Sequence, residues 1–358
     1  MFGVTDGFDV VIGNPPYGAS YSATQKDYFQ THYLSAKSIP KVQKGSLDTY
    51  SLFVDLGLFR CAKTPAVLSY IVPLAFTSSE SMFPLHTEML KSCTRIAVSS
   101  YSNRPNRIFL NADQRVSIVF ALKTGTPTKE LLTTKIIKRY AETTIDEIIN
   151  GLEFVNSLKF VKRGRFPKVG TKTELAILEK VFSIPKTLAD YEEQNERKQT
   201  KRNAVYYRAA GGRYYNIVTN FSTGSTQEKP FFVRDVEADV ICALLSSSLY
   251  YWLYLLYSDN LHIKSYELLM CPIPFFDVGK SVELKMLYAS YIQDLERNAI
   301  VKKADYSNVS AIKEYRARLS KPLIDEIDRA LQEPFGLSDD EIEFIINYDL
   351  KFRTDEED

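Results

Sequence analysis

The chain has 358 residues, of which 45% are hydrophobic and 25% are charged, an ordinary globular composition with room for two or three domains. Its formal net charge is only +1, so the overall charge gives no information about binding partners. Its four cysteines are too dispersed for a metal or disulfide pattern, and without a signal peptide or membrane-length apolar run we expect a cytoplasmic protein with no membrane partner.

The first 125 residues are predicted to form an α/β domain. Residues 8–13 (FDVVIG) are a continuous apolar run, typical of a strand buried on both faces, and two prolines end it. Residues 95–101 and 115–123 are predicted strands with no clear helix between them, which indicates an antiparallel edge. The other elements predicted here are helices at 24–33, 47–62 and 81–93 and a buried strand at 66–72.

The pattern changes after residue 125. A Thr-, Gly- and Pro-rich linker leads into short strands and turn-rich loops, which predict an α+β domain over residues 126–278. Within it, residues 236–257 have the spacing of one long helix. Residues 279–358 are predicted to be helical, with a capped helix start at Ser338, three residues before Glu341.

Charge is distributed unevenly along the chain. Residues 159–234 contain sixteen Lys and Arg against seven Asp and Glu, whereas residues 321–358 contain four against thirteen. A basic middle segment is typical of a nucleic-acid surface, but charges also cluster on ordinary solvent-exposed faces. The count alone does not choose between these interpretations.

One short motif carries chemistry. Asn14, Pro15, Pro16 and Tyr17 directly follow the first predicted strand, and ligands of open α/β sheets bind at the carboxyl ends of strands. The Asn side chain and the first Pro carbonyl could accept both hydrogens of a planar amino group, making its nitrogen more nucleophilic. Tyr17 offers a flat face on which a flipped-out base could stack.

The segment FDVVIGNPPYG resembles the motif of amino methyltransferases that use S-adenosylmethionine. Together with residues 47–53, 69–76 and 107–121, it resembles the TaqI-like adenine-specific DNA methyltransferases of the single-chain restriction-modification type. The resemblance implies a partial Rossmann-like methyltransferase sheet, an α+β target-recognition domain and a helical carboxyl-terminal segment. It also implies that Phe109 packs against the flipped adenine and that Phe53 lies near the cofactor.

The same resemblance implies that double-stranded DNA is the partner. Turn-rich segments that we expect to be exposed supply the candidate DNA contacts, which are Lys162, Arg163, Arg165, Arg213 and Tyr214. Lysine and arginine there would neutralise phosphates, and a few side chains would read base edges.

The S-adenosylmethionine site is expected to be incomplete. The family's Gly-rich turn and ribose-binding acid precede the Asn-Pro-Pro-Tyr strand, but only seven residues precede Phe8. The sequence therefore predicts a fragment, a split-gene product or a truncated frame that needs a missing amino-terminal methyltransferase/nuclease half. Two alternatives stay open, a DNA-binding specificity module without catalysis and a protein-glutamine or RNA methyltransferase.

Overall fold

Two units make up the chain, Met1–Leu175 and Ala176–Asp358. The computed structural model describes residues 5–40, 43–108, 113–209, 216–306 and 309–354. Phe109, Arg213 and Tyr214, three of the predicted site residues, lie outside the described residues.

The first unit is built on a six-stranded mixed sheet in the order β1-β2-β4-β3-β5-β6. Its strands are β1 (Phe8–Gly13), β2 (Ala62–Pro73), β3 (Cys93–Tyr101), β4 (Val116–Lys123), β5 (Glu130–Ile137) and β6 (Val155–Asn156). Its helices are α1 (Ala23–His32), α2 (Thr49–Leu56), α3 (Ala75–Ser78), α4 (Phe83–Ser92), α5 (Ile145–Asn150) and α6 (Lys172–Val181), the last of which crosses into the second unit. The predicted α/β class is confirmed.

The core of this unit forms where α2 and α4 bury their apolar residues against the central strands. Strand β2 alternates, so that Leu68 and Val72 are fully buried among residues of the neighbouring strands. Strands β1 and β2 are parallel, whereas β4 runs antiparallel to both β2 and β3. The carboxyl ends of β1 and β2 therefore lie at the same edge of the sheet, the edge formed by the strand ends.

Strand β1 is not buried on both faces, which corrects the expectation from its apolar sequence. It is an edge strand that pairs only with β2 among the described residues. Phe8, Val10 and Ile12 are 45%, 58% and 78% exposed, while Val11, on the opposite face, packs against the core. Only one face of the strand is covered.

The predicted strand pair β3 and β4 is antiparallel, but it is not an edge. β5 pairs in parallel with β3, and β6 follows β5, so the sheet continues past residue 125. The first compact unit consequently extends to Leu175, and the predicted boundary at residue 125 falls inside its sheet.

The second unit combines small sheets with a larger set of helices. Its strands are β7 (Ala204–Arg208), β8 (Val218–Thr219), β9 (Glu228–Phe232), β10 (Ile300–Tyr306) and β11 (Val309–Glu314). Its helices are α7 (Ala238–Ser246), α8 (Ser248–Tyr257), α9 (Ser265–Leu269), α10 (Val278–Arg297), α11 (Lys321–Gln332), α12 (Asp339–Ile346) and α13 (Leu350–Thr354). The Ser338–Glu341 capping box at the start of α12 is confirmed.

Two helical predictions in this unit need correction. The predicted single helix over residues 236–257 is two helices, α7 and α8, bent by 67° at a serine run in which Ser247 caps α8. The predicted helical carboxyl-terminal segment is confirmed in α10, α11, α12 and α13, but an antiparallel hairpin of β10 and β11 interrupts it. The β-branched residues Ile300, Val301 and Val309 were the signal for it.

Within the described ranges, no single helix has the length and apolar composition needed to cross a membrane. The bent pair of α7 and α8 meets that criterion only when the two helices are taken together.

Candidate functional site

The Asn-Pro-Pro-Tyr segment leaves the sheet at the carboxyl end of β1. Asn14 is exposed, and in the described part of the chain its side chain makes no hydrogen bond or ion pair, so its carbonyl oxygen is accessible to a ligand. Pro15 is buried and Pro16 is exposed. Gly18 follows with φ +73°, a conformation that favours glycine, and so lets the chain turn directly after Tyr17.

Tyr17 is fixed against the sheet. Its hydroxyl donates to the backbone oxygen of Ile71 in β2 at 3.1 Å, and its half-buried ring packs beside the core. Burial raises the pKa of this hydroxyl, so it stays protonated and remains a donor at neutral pH. The orientation of the ring is therefore set before any ligand arrives.

A small apolar cluster brings a second segment close to Tyr17. Tyr101, Val116 and Ile148 form the cluster, and both Tyr17 and Ile108 pack against it. Ile108 is the last described residue before Phe109, which lies outside the described residues.

Phe53, the predicted cofactor neighbour, lies on α2 and is 39% exposed. The helix turns Tyr50 and Val54 into the core, so Phe53 is left on the outer side. It is not a core residue, and its ring can contact a ligand.

The three described candidate DNA contacts near residue 163 have different environments. Lys162 and Arg165 pair through their backbones, with N–O distances of 3.2 Å and 2.9 Å, and Arg163 takes φ +48° between them. The Arg163 side chain is 71% exposed and lies 3.9 Å from Glu80. Lys162 is half-buried, and this burial lowers its pKa.

Arg165 was expected to be exposed, and that expectation is wrong. The residue is 1% exposed because the turn directs it inward, where its Nε donates to the backbone oxygen of Lys162 at 3.3 Å. Arg165 is consequently a structural residue of the turn in this conformation, and only Arg163 of the three is freely exposed.

An exposed basic turn precedes β7, and its residues were not among the DNA contacts predicted from the sequence. Within six residues it carries four exposed cations, Arg197, Lys198, Lys201 and Arg202. Asn203 holds the turn, since its side chain accepts from the Thr200 amide at 2.8 Å and donates to the Lys198 carbonyl at 3.3 Å. The run RKQTKR was the available signal, because a dense basic run in a predicted loop indicates phosphate binding.

Comparison with family models finds one similarity. Residues 1–109, less than a third of the chain, match the Eco57I restriction-modification methylase family. The matched range contains the Asn-Pro-Pro-Tyr segment, β2 and β3. A comparison with curated proteins found no match.

Among solved structures, the type IIL restriction-modification enzyme MmeI in complex with DNA aligns with 96% of this chain and 57% of its own, at 12% identity and a TM-score of 0.48. The type ISP restriction-modification enzyme LlaGI, in complex with a DNA substrate mimic, aligns with 83% of this chain and 36% of its own, at 11% identity and a TM-score of 0.44. A putative class I S-adenosylmethionine-dependent methyltransferase from Listeria monocytogenes aligns over 41% of each chain, at 21% identity and a TM-score of 0.30. The chain thus spans between about a third and somewhat over half the length of these proteins.

Proposed function

We propose that this chain is the catalytic-motif and target-recognition part of an adenine-specific DNA methyltransferase of the restriction-modification type. The observation that carries the proposal is the Asn-Pro-Pro-Tyr segment at the carboxyl end of β1, with an accessible Asn14 and a fixed Tyr17. The restriction-modification methylase match over residues 1–109 supports it independently.

The segment prepares an amino group for methylation by holding it. The Asn14 side-chain carbonyl and the Pro15 backbone carbonyl accept one hydrogen each from the exocyclic amino group of adenine. With both hydrogens held, the nitrogen lone pair is drawn out of conjugation with the ring, which makes the nitrogen a better nucleophile. Because Pro15 and Pro16 restrict the backbone, these acceptors are positioned in advance, which reduces the entropic cost of alignment.

Adenine reaches such a site only when it leaves the duplex. The fixed Tyr17 ring offers a stacking face, and Phe109 is proposed as the second wall of the pocket. The hydroxyl of Tyr17 is already occupied by Ile71, so the ring contributes stacking and no proton transfer.

The described residues do not complete an S-adenosylmethionine site. Phe53 offers one exposed aromatic contact, but no Gly-rich turn follows a strand in the described ranges. The edge of β1, which is open among the described residues, and its exposed Phe8, Val10 and Ile12 support a sheet that continues beyond β1 in the working enzyme. We propose that an amino-terminal methyltransferase half pairs with this edge and supplies the donor site.

Double-stranded DNA is the proposed partner. Arg163 in the first unit and the basic turn of residues 197–202 in the second supply exposed cations for phosphates. Replacing two residues of the turn, Lys201 and Arg202, with alanine should weaken binding to duplexes of any sequence and lower the salt slope by about 2. An unchanged slope would remove this turn from the interface.

Calorimetry with S-adenosylmethionine tests the incomplete cofactor site. The purified chain should bind it weakly or not at all, and micromolar binding would show that the donor site is complete without an amino-terminal half. In a second assay, labelled methyl groups should be transferred into DNA when an amino-terminal methyltransferase half that supplies the donor site is added. Methylated RNA or methylated protein glutamine in that assay would instead favour the alternative substrates.

A further inference from the structure

A cavity of about 650 Å³ opens in the first unit, apart from the Asn-Pro-Pro-Tyr segment in sequence. One wall is formed by Ile39, Pro40 and Lys44, from the loop that follows α1. The other wall is formed by Glu80 and Phe83, at the start of α4, and by Arg163. This volume lies in the range of sites that bind small molecules or single nucleotides.

The loop wall is held at its base. The buried carboxylate of Asp55 accepts from the Ser35 amide at 2.6 Å, and the Ser46 amide donates to the Ser35 oxygen at 2.7 Å. Nearer the tip, the backbones of Ile39 and Gln43 pair at 2.9 Å and 3.0 Å. These bonds hold together the two described sides of the loop, which carry Ile39 and Lys44.

The opposite wall is fixed by His86 of α4. Its Nδ1 donates to the Gly164 oxygen at 2.6 Å, and its ring stacks on Phe166 with centroids 4.1 Å apart. Gly164 lies against Phe83 so closely that an added Cβ would come within 2.9 Å of that ring. These contacts fix the turn that carries Arg163 on the cavity rim.

The chemistry of the walls is mixed in a specific way. Lys44 and Arg163 carry two positive charges. Glu80 carries one negative charge, and its carboxylate lies 3.9 Å from the Arg163 guanidinium. Ile39, Pro40 and Phe83 are the apolar residues of the same lining. A ligand that satisfies both parts has an anionic group and a flat apolar body.

We propose that this cavity binds one unpaired nucleotide of the DNA, with its phosphate at Lys44 and Arg163 and its base on the apolar wall. A base that is paired and stacked in a duplex has no free face to place on this apolar wall, so the nucleotide must be one freed when the duplex is opened. The Glu80–Phe83 wall follows the carboxyl end of β2, on the side of the sheet where β1 presents Asn14. The proposal rests on the proposed DNA function and adds a second nucleotide site to it.

Fluorescence anisotropy with a labelled oligothymidylate and with a duplex of equal length tests the cavity over a range of salt concentrations. The double variant Lys44→Ala/Arg163→Ala should weaken oligothymidylate binding about tenfold and lower its salt slope by about 0.7, the value for one single-strand phosphate contact. The matched double variant Lys26→Ala/Lys129→Ala removes two exposed cations that do not line the cavity, and it should bind as the original chain does. Equal effects of the two double variants would overturn the proposal.

The apolar wall needs its own test. Ile39→Ser should weaken oligothymidylate binding severalfold without changing the salt slope, since this 49% exposed residue is uncharged and is proposed to contact the base and not the phosphate. If Ile39→Ser has no effect while the charge variant does, the cavity holds phosphate only and the nucleotide proposal is wrong. Neither assay requires methyl transfer. If DNA is methylated normally but the cavity variants bind oligothymidylate as the original chain does, only this inference is contradicted. If the cavity variants weaken binding as expected but no DNA is methylated, only the proposed reaction is contradicted.

Discussion

His86 makes the stability of the first unit sensitive to pH. Burial lowers the pKa of this histidine from its ordinary 6.5 to about 4, although its bond to the Gly164 oxygen acts in the opposite direction. The Nε2 atom is buried with no hydrogen-bond partner among the described residues. Protonation would therefore create a second N–H group with no acceptor inside the core, next to the rings of Phe76 and Phe166.

The sign of the effect follows from linkage. Below pH 6.5 the unfolded chain binds a proton at His86, whereas the folded chain binds it only near pH 4. The contribution of neutral His86 is therefore complete above its ordinary pKa and is lost as the pH falls toward 4. Each pH unit in that interval costs about 1.4 kcal/mol, so lowering the pH from about 7 to about 5 should reduce the free energy of unfolding by about 2 kcal/mol.

Urea unfolding at both pH values measures this loss, and His86→Phe isolates it. The variant removes the bond to Gly164 at every pH but keeps an aromatic ring against Phe166. The difference in free energy of unfolding between the original chain and the variant should therefore decrease by about 2 kcal/mol at the lower pH. Nuclear magnetic resonance of the histidine ring gives a direct check. A His86 resonance that titrates near 6.5, or a difference that does not change with pH, would refute the reasoning.

Three further substitutions test other contacts. Tyr17→Phe removes the donor to the Ile71 oxygen and should lower the free energy of unfolding of the first unit by about 1 kcal/mol in urea, while DNA binding persists; unchanged stability would contradict a stabilising bond. Burial raises the pKa of Asp328 to about 6, so its stabilising effect is complete below its ordinary 3.8 and is lost as the pH rises through 6. Asp328→Asn should therefore remove this pH dependence from thermal unfolding of the second unit, and an identical pH profile would be evidence against it. Ser338→Ala breaks the capping box of α12 and should cost about 1 kcal/mol, seen as faster amide exchange in that helix; unaltered protection would argue that the cap contributes nothing.

The elements that pattern and turn chemistry specify locally were predictable from the sequence. The start of α12 was read from Ser338 and Glu341, because a capping box acts within four residues. The position of Asn14–Tyr17 after a strand was also predictable, since an apolar run must end where two prolines remove backbone donors.

Features that depend on partners distant in sequence were not predictable. The run FDVVIG specifies an apolar environment on both faces, but the described chain covers only the face of Val11. Arg165 gives no sequence signal of its burial, which depends on how the turn at Arg163 directs it. The continuation of the sheet into β5 depends on pairing with β3, and the linker-like composition before β5 concealed it.

The most direct test of the central claim is to identify the methylated product. The chain is assayed together with an amino-terminal methyltransferase half, with labelled S-adenosylmethionine and duplex DNA, and the nucleosides are identified by mass spectrometry. We expect N6-methyladenine, reduced by about a hundredfold or more in Asn14→Ala. The matched variant Asn150→Ala, at the exposed end of α5, should leave it unchanged. Full N6-methyladenine formation by Asn14→Ala, or methylation of RNA or protein in place of DNA, would contradict the account.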